Sequence, residues 1–188
     1  MAKELKTLRR VVTTNDADGR SGVLWDSNAP NASTRPTGSR FTEFWTVNEA
    51  PGTIIGAHDE SEHEFSISPP EGGFHFRIAQ TPPKNPEGLD DDSTQRNRDE
   101  KNASGVTERR EDGPHWNMHR TPSVDYAFCT GGERTLILED FEHVIHKGET
   151  VIQLANWHSW SNRSDEISSM AYLMISGEFP EKRPCGRV

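Results

Sequence analysis

The sequence predicts an all-β domain, either a β-sandwich or a small barrel, and three observations lead there. Its regular segments are short, rich in β-branched or aromatic residues, and bounded by Asn, Asp, Gly or Pro. Turn residues recur every few positions in the second half, at Gly131-Gly132, Glu139-Asp140, Lys147-Gly148 and Ser164-Asp165. No segment carries a convincing apolar period of about 3.6 residues, so helix is expected only as a turn or two around residues 60–64.

Taken in order, residues 9–14 (RRVVTT), 22–25 (GVLW) and 41–47 (FTEFWTV) read as strands. Residues 74–80 (FHFRIAQ) alternate Phe74, Phe76 and Ile78 against His75 and Arg77, the period of a strand with two unlike faces. Further strands are expected at 118–121, 124–130, 134–138, 143–146, 150–154 and 170–175. Residues 82–112 are dense in Pro, Asn, Asp, Glu, Arg and Ser and cannot bury enough apolar area to offset their ordering entropy, so they read as one long polar loop inserted between strands. Such a loop is a solvated excursion or a lid. Residues 177–188 form a polar tail.

The 188 residues suffice for a single domain with a real core. Mean hydropathy is low, −0.85, but the deficit is concentrated between residues 82 and 114. A net charge of −9 disfavours nucleic acid and anionic membrane as partners. Two cysteines, Cys129 in an expected strand and Cys185 in the tail, read as reduced thiols. The N-terminus lacks an apolar signal region and no run is long enough to span a bilayer, so the expected location is cytoplasmic. Glycine-rich phosphate loops, dinucleotide fingerprints and Gly-x-Ser-x-Gly elbows do not occur, so no nucleotide cofactor is expected.

Chemistry concentrates between Gly113 and Asn162. His119, Thr121 and Asp125 stand an even number of residues apart and would share one face of an extended strand. His158 follows one hairpin and one strand later. Two neutral imidazoles and a carboxylate on neighbouring strands can converge within about 2.0–2.2 Å of a divalent ion and leave positions open for substrate. A polar pocket without metal is the alternative. Asn162 can bond a ligand or orient the bend. His115 is a further ligand or general base, or else an exposed loop residue. His75 points into the interior if Phe74 and Phe76 pack outside. Trp116, Tyr126, Trp157 and Trp160 suit a pocket wall for a flat organic molecule, or ordinary core. His58, His63, His143 and His146 are expected at the surface, and Cys129 buried and inert.

These motifs resemble the two conserved motifs of the cupin superfamily, in its small single-domain branch. The first runs from Gly113 through His119 and Asp125 to Gly132; the second runs from Gly148 through Gln153-Leu-Ala155 at its turn to His158 and Asn162. Thr121 stands where the family has a second histidine, and Asp125 where it has a glutamate. The resemblance covers residues 113–176. It implies one all-β, cupin-type jelly-roll β-barrel of two antiparallel sheets over residues 1–188, with the N-terminal strands extending one sheet. It also implies a homodimer, with the N-terminal β segment as a pairing edge, and a metal held by His119, Asp125 and His158.

Three functions follow as expectations. The first is a metal-dependent, dioxygenase-like enzyme acting on an organic acid or aromatic metabolite, with Fe(II) as the ion and Zn, Mn or Ni as alternatives. The second is a redox-neutral lyase or isomerase, a decarboxylase or dehydratase, using pocket His and Asp groups. The third is a non-catalytic ligand-binding barrel. Catalytic candidates are His119, Asp125, His158 and His115; pocket candidates are His75, Trp116, Thr121, Tyr126, Trp157, Trp160 and Asn162.

Overall fold

The computed structural model describes residues 4–35, 37–54, 58–83, 107–110 and 112–179. These contain thirteen strands and no helix: β1 Arg9–Asn15, β2 Ser21–Asn28, β3 Ala32–Thr34, β4 Arg40–Val47, β5 Phe74–Thr81, β6 Glu108–Arg109, β7 His119–Arg120, β8 Ser123–Gly131, β9 Glu133–Ile137, β10 Glu142–His146, β11 Thr150–Leu154, β12 Ser159–Ser161 and β13 Ser168–Ser176. Residues 60–64, where a helical turn was expected, make only a turn and a bend. No helix among the described residues is long and apolar enough to cross a membrane.

Six antiparallel strands form the larger sheet in the order β11-β8-β13-β5-β4-β3, and three form the smaller in the order β10-β9-β12. From β8 onward the chain alternates between the sheets, β8 large, β9 and β10 small, β11 large, β12 small, β13 large. That is jelly-roll connectivity, and the fold is an all-β barrel of antiparallel sheets. The sheets meet around Ala79, Ala127, Cys129, Met170, Tyr172 and Met174, with Ile145 of β10 and Trp160 of β12 packed against them from the other side.

The N-terminal strands depart from expectation. β1 and β2 pair only with each other, and the edge beyond β4 is taken by the short β3 instead. Arg10 fastens this hairpin to the barrel: it is 6% exposed, donates to the Phe44 carbonyl at 3.1 Å and to Ser61 Oγ at 3.0 Å, and forms an ion pair with Asp59. That pairing, with hydrogen bonds from Ser61, holds the Asp59 carboxyl down at about 2.

The expected polar loop at 82–112 lies mostly outside the described residues, as does Cys185. Its far end is not loop: β6 pairs with β7, and Thr107 is buried with its hydroxyl 2.7 Å from Ser68 Oγ.

Two backbone positions explain motif residues. Gly132, between β8 and β9, has φ 64°, and a Cβ there would lie 2.5 Å from the Ile167 carbonyl oxygen. Only glycine fits such a position. Ala155, in the turn after β11, has φ 50°, a left-handed conformation that a side chain adopts only at a cost of order 1 kcal/mol.

Inward-facing side chains stack in rows across the larger sheet, because paired residues on adjacent strands share a face. One row reads Cys129, Met170, Ala79, Phe41. The next reads Val151, Ala127, Tyr172, Arg77, Glu43. The third reads Gln153, Asp125, Met174, His75, Thr46. Glu43 and Thr46 are three residues apart yet both buried, because a bulge in β4 between Glu43 and Trp45 resets the alternation.

Candidate functional site

The third row and its neighbours make a polar interior. Arg77 is 2% exposed and its guanidinium is fully engaged. It pairs with Glu43 at 3.0 Å, donates from Nη2 to the Ser66 carbonyl at 2.6 Å, and donates from Nη2 to His75 Nδ1 at 2.9 Å. Burial pushes the Glu43 carboxyl up and the Arg77 guanidinium down, and their mutual attraction opposes both shifts. The ion pair is retained, since parting it would strand two buried charges.

The bond from Arg77 fixes the tautomer of His75. Because Nδ1 accepts, the neutral ring carries its proton on Nε2. Burial, then the adjacent Arg77 charge, take the His75 imidazole down to about 2, so it stays neutral. Its Nε2 is buried and has no hydrogen-bond partner among the described residues. His75 is thus a fixed N–H donor facing the interior.

Asp125 lies on the same row, 4% exposed. Ser123 Oγ donates to its Oδ1 at 2.6 Å. Burial raises the carboxyl to about 6, against the lowering effects of Ser123 and of the Arg77 charge. Gln153, directly opposite Asp125 in the β11–β8 register, is 3% exposed, and neither amide atom bonds a described residue. Tyr172, one row below, is buried with its phenol pushed up to about 12 by burial.

His119 and His158 meet where β7 runs beside the start of β12, joined by reciprocal backbone hydrogen bonds of 2.9 and 3.0 Å. Their ring centroids are 4.5 Å apart at 54°. Each Nδ1 donates to a carbonyl two residues back, His119 to Asn117 at 2.8 Å and His158 to Asn156 at 3.0 Å. Each therefore offers an Nε2 lone pair. Burial and the neighbouring His158 hold His119 well below its ordinary value, and burial takes His158 to about 4.

The expected set of His119, Asp125 and His158 is not gathered around one point. Among the described residues no three His, Cys, Asp or Glu side chains stand where they could hold a metal ion. Asp125 is turned toward Ser123 and the Arg77 charge, while the imidazoles face each other at the β7–β12 junction. Two imidazole nitrogens without the carboxylate do not fit the three-ligand ion.

The remaining candidates divide. His115 approaches the imidazole pair, with Nδ1 2.7 Å from Ser159 Oγ and accepting from the Asn117 N–H at 3.2 Å. Trp160 stands on the interior wall, edge-on to Tyr172 at 6.1 Å and to His158 at 6.4 Å. Thr121 is buried between β7 and β8. Trp116 is half-buried beside His115 at 5.4 Å. Trp157 is half-buried, with the guanidinium groups of Arg110 and Arg120 each 4.9 Å from its ring centroid. Two pocket expectations are corrected. Tyr126 alternates with Asp125 and so faces the outside of the sheet, between Ile152 and Leu173. Asn162 is consumed by loop backbone: its Nδ2 donates to the Thr81, Pro82 and Glu166 carbonyls at 3.0, 3.0 and 2.7 Å. His63, expected at the surface, is half-buried and reaches Thr46 Oγ1 at 2.7 Å.

Sequence reading missed Glu43, Arg77, Gln153 and Tyr172. The alternation that placed His75 inside also placed Arg77 there, two residues on. Nothing local marks the other three.

No protein-family model matches the chain. It is 25% identical over 170 residues to phomopsin biosynthesis cluster protein C' of Diaporthe leptostromiformis, covering 86% of this chain and 74% of that protein. It is 26% identical, with the same coverage, to phomopsin biosynthesis cluster protein D of the same organism. Among solved structures, the cupin domain of Schizosaccharomyces pombe Cnp3 is similar at a TM-score of 0.43 and 9% identity, over 89% of this chain and 87% of that one. A putative ethanolamine utilization protein Q from Salmonella typhimurium is similar at 0.42 and 5% identity, over 92% and 99%. Likenesses of this size say nothing about activity.

Proposed function

We propose that the chain is a small-molecule biosynthetic enzyme of the redox-neutral kind, a lyase or isomerase that moves a proton next to a carbonyl group. One observation carries the reading: Asp125 and His75 share an interior row, one a buried carboxyl anchored at Oδ1 by Ser123 and the other a tautomer-locked N–H with no partner among the described residues. In this reading Asp125 Oδ2 takes the proton from the carbon beside the carbonyl. The C–H electron pair becomes the carbon–carbon double bond of an enolate, and His75 Nε2–H donates to the oxygen that gains charge. The enolate then regains a proton at another carbon or expels a leaving group. A carboxyl that titrates near 6 suits a base working close to neutrality. The Nε2 lone pairs of His119 and His158 accept hydrogen bonds from a hydroxyl or amine on the substrate. The names of the two relatives are consistent with a place in small-molecule biosynthesis.

No step is routed through a metal, because the donors among the described residues do not form the three-ligand set that oxygen chemistry would use. The test is to incubate the full chain in D2O with a panel of ketones, keto acids, carboxamides and lactams and to read deuterium uptake by mass spectrometry. At least one compound is expected to exchange, and Asp125→Asn is expected to slow that exchange at least a hundredfold. Exchange that survives Asp125→Asn contradicts the assignment.

A further inference from the structure

Gln153 takes no part in the proton transfer above, yet its placement is the least economical in the interior. It faces inward from β11, 3% exposed, with neither Oε1 nor Nε2 bonded to any described residue. Both ends of a buried amide left unsatisfied work against folding, so a group conspicuously wasted here calls for a partner. Asp125 stands directly opposite in the strand register and does not supply one.

We infer that Gln153 reads a neutral amide on the substrate, a carboxamide or a lactam, through paired hydrogen bonds. The assignment deepens the reading above and rests on its placing the substrate in the barrel interior. A glutamine side chain presents a carbonyl oxygen and an N–H side by side along one edge. The matching edge is a donor beside an acceptor, which primary amides and lactams carry and carboxylates do not. Charge selects in the same direction. Arg77, in the next row, is occupied by Glu43, His75 and the Ser66 carbonyl, so it does not receive an anion, and a second buried cation, Arg134, lies beside Cys129 and Tyr172 of the other two rows. Asp125, adjacent to Gln153, repels one once it is ionised. An organic acid, one of the substrates the sequence suggests, is therefore disfavoured at this position.

The geometry also separates this amide from the reacting carbonyl. Gln153 and His75 lie three strand spacings apart on the same row, about 14 Å along the sheet at roughly 4.8 Å per strand.

The test uses the ¹⁵N-labelled full chain and three probes, 2-pyrrolidinone, N-methyl-2-pyrrolidinone and acetate, titrated to millimolar concentration at pH 7.5 while side-chain amide resonances are followed. The Gln153 resonances are assigned from their loss in Gln153→Met. Pyrrolidinone is expected to shift them saturably. The N-methyl probe, which lacks the donor, is expected to bind at least fivefold more weakly, and acetate not to saturate. Gln153→Met is expected to weaken pyrrolidinone at least tenfold. Equal binding of the two lactams by the unaltered protein overturns the inference without any need for the variant to fold. If pyrrolidinone binds as expected but no carbonyl compound exchanges deuterium, the amide site stands and the proton-transfer reading falls. If exchange depends on Asp125 while the lactams bind alike, only the amide site falls.

Discussion

At one end of the barrel interior Cys129, Met170, Ala79 and Phe41 fill a row with sulfur, methyl and ring groups. Two rows along, the same four strands present Asp125, Met174, His75 and Thr46, with Gln153 joining from β11. Met170 is fully buried and so is His75, at 0 and 1% exposure, but burial means different things for them. A methionine is stabilised by leaving water. An imidazole N–H and an amide with no partner among the described residues and a carboxyl forced upward are not, and in the proposed reading their retention trades folding stability for a site. The row between, with Arg77 paired to Glu43, joins the two: it lies in the core and it aims His75.

Breaking the middle row should have the largest effect. Arg77→Met leaves Glu43 buried without its partner and should destabilise the protein by about 3–5 kcal/mol in urea unfolding. It also frees the His75 tautomer, so any deuterium exchange should fall as well. Met170→Ala at the apolar end should cost about 2–5 kcal/mol by opening a cavity, while the folded fraction exchanges at the original rate. Equal loss of exchange in Met170→Ala would erase the distinction between the ends.

Asp125→Asn should move stability the other way. The carboxyl rises from 3.8 to about 6 on folding, so ionising it opposes folding, and this penalty grows as pH rises from about 4 to about 6 and is complete above. A shift of that size corresponds to roughly 3 kcal/mol at most, and removal of the charge should raise the melting temperature at pH 7.5 with no gain at pH 4. Histidines work in the opposite sense. His75 and His158 fall from 6.5 to about 2 and about 4, so the stability of keeping them neutral is fully present above pH 6.5 and is lost as pH falls toward those values. Their larger shifts outweigh Asp125, and the melting temperature should drop between pH 7 and pH 4.5. Treatment with a chelator should have the smallest effect, less than twofold on exchange; abolition by chelator and recovery with Fe(II) would restore the three-ligand centre.

The strands were legible because their boundaries are written locally. β5 shows its two faces in six consecutive letters, and that parity alone turned His75 and Arg77 inward. The same parity was available for Tyr126, one residue after Asp125, and assigns it to the outer face. Other parts depend on register between distant segments. Gln153 gains meaning only from standing opposite Asp125, and Tyr172 from lying beside Arg77. Glu43 and Thr46 share a face only through the bulge in β4, which no residue type there announces. The three-ligand grouping does not assemble among the described residues for a related reason: an even spacing places His119 and Asp125 on one face only along a continuous strand, and β7 ends at Arg120 before β8 begins at Ser123.

The most direct test of the account is the pH dependence of deuterium exchange in the unaltered chain, measured beside Asp125→Asn. The account predicts exchange that rises with pH through a midpoint near 6 and is lost in the variant. Exchange that is independent of pH between 5 and 8, or that persists in Asp125→Asn, would contradict it.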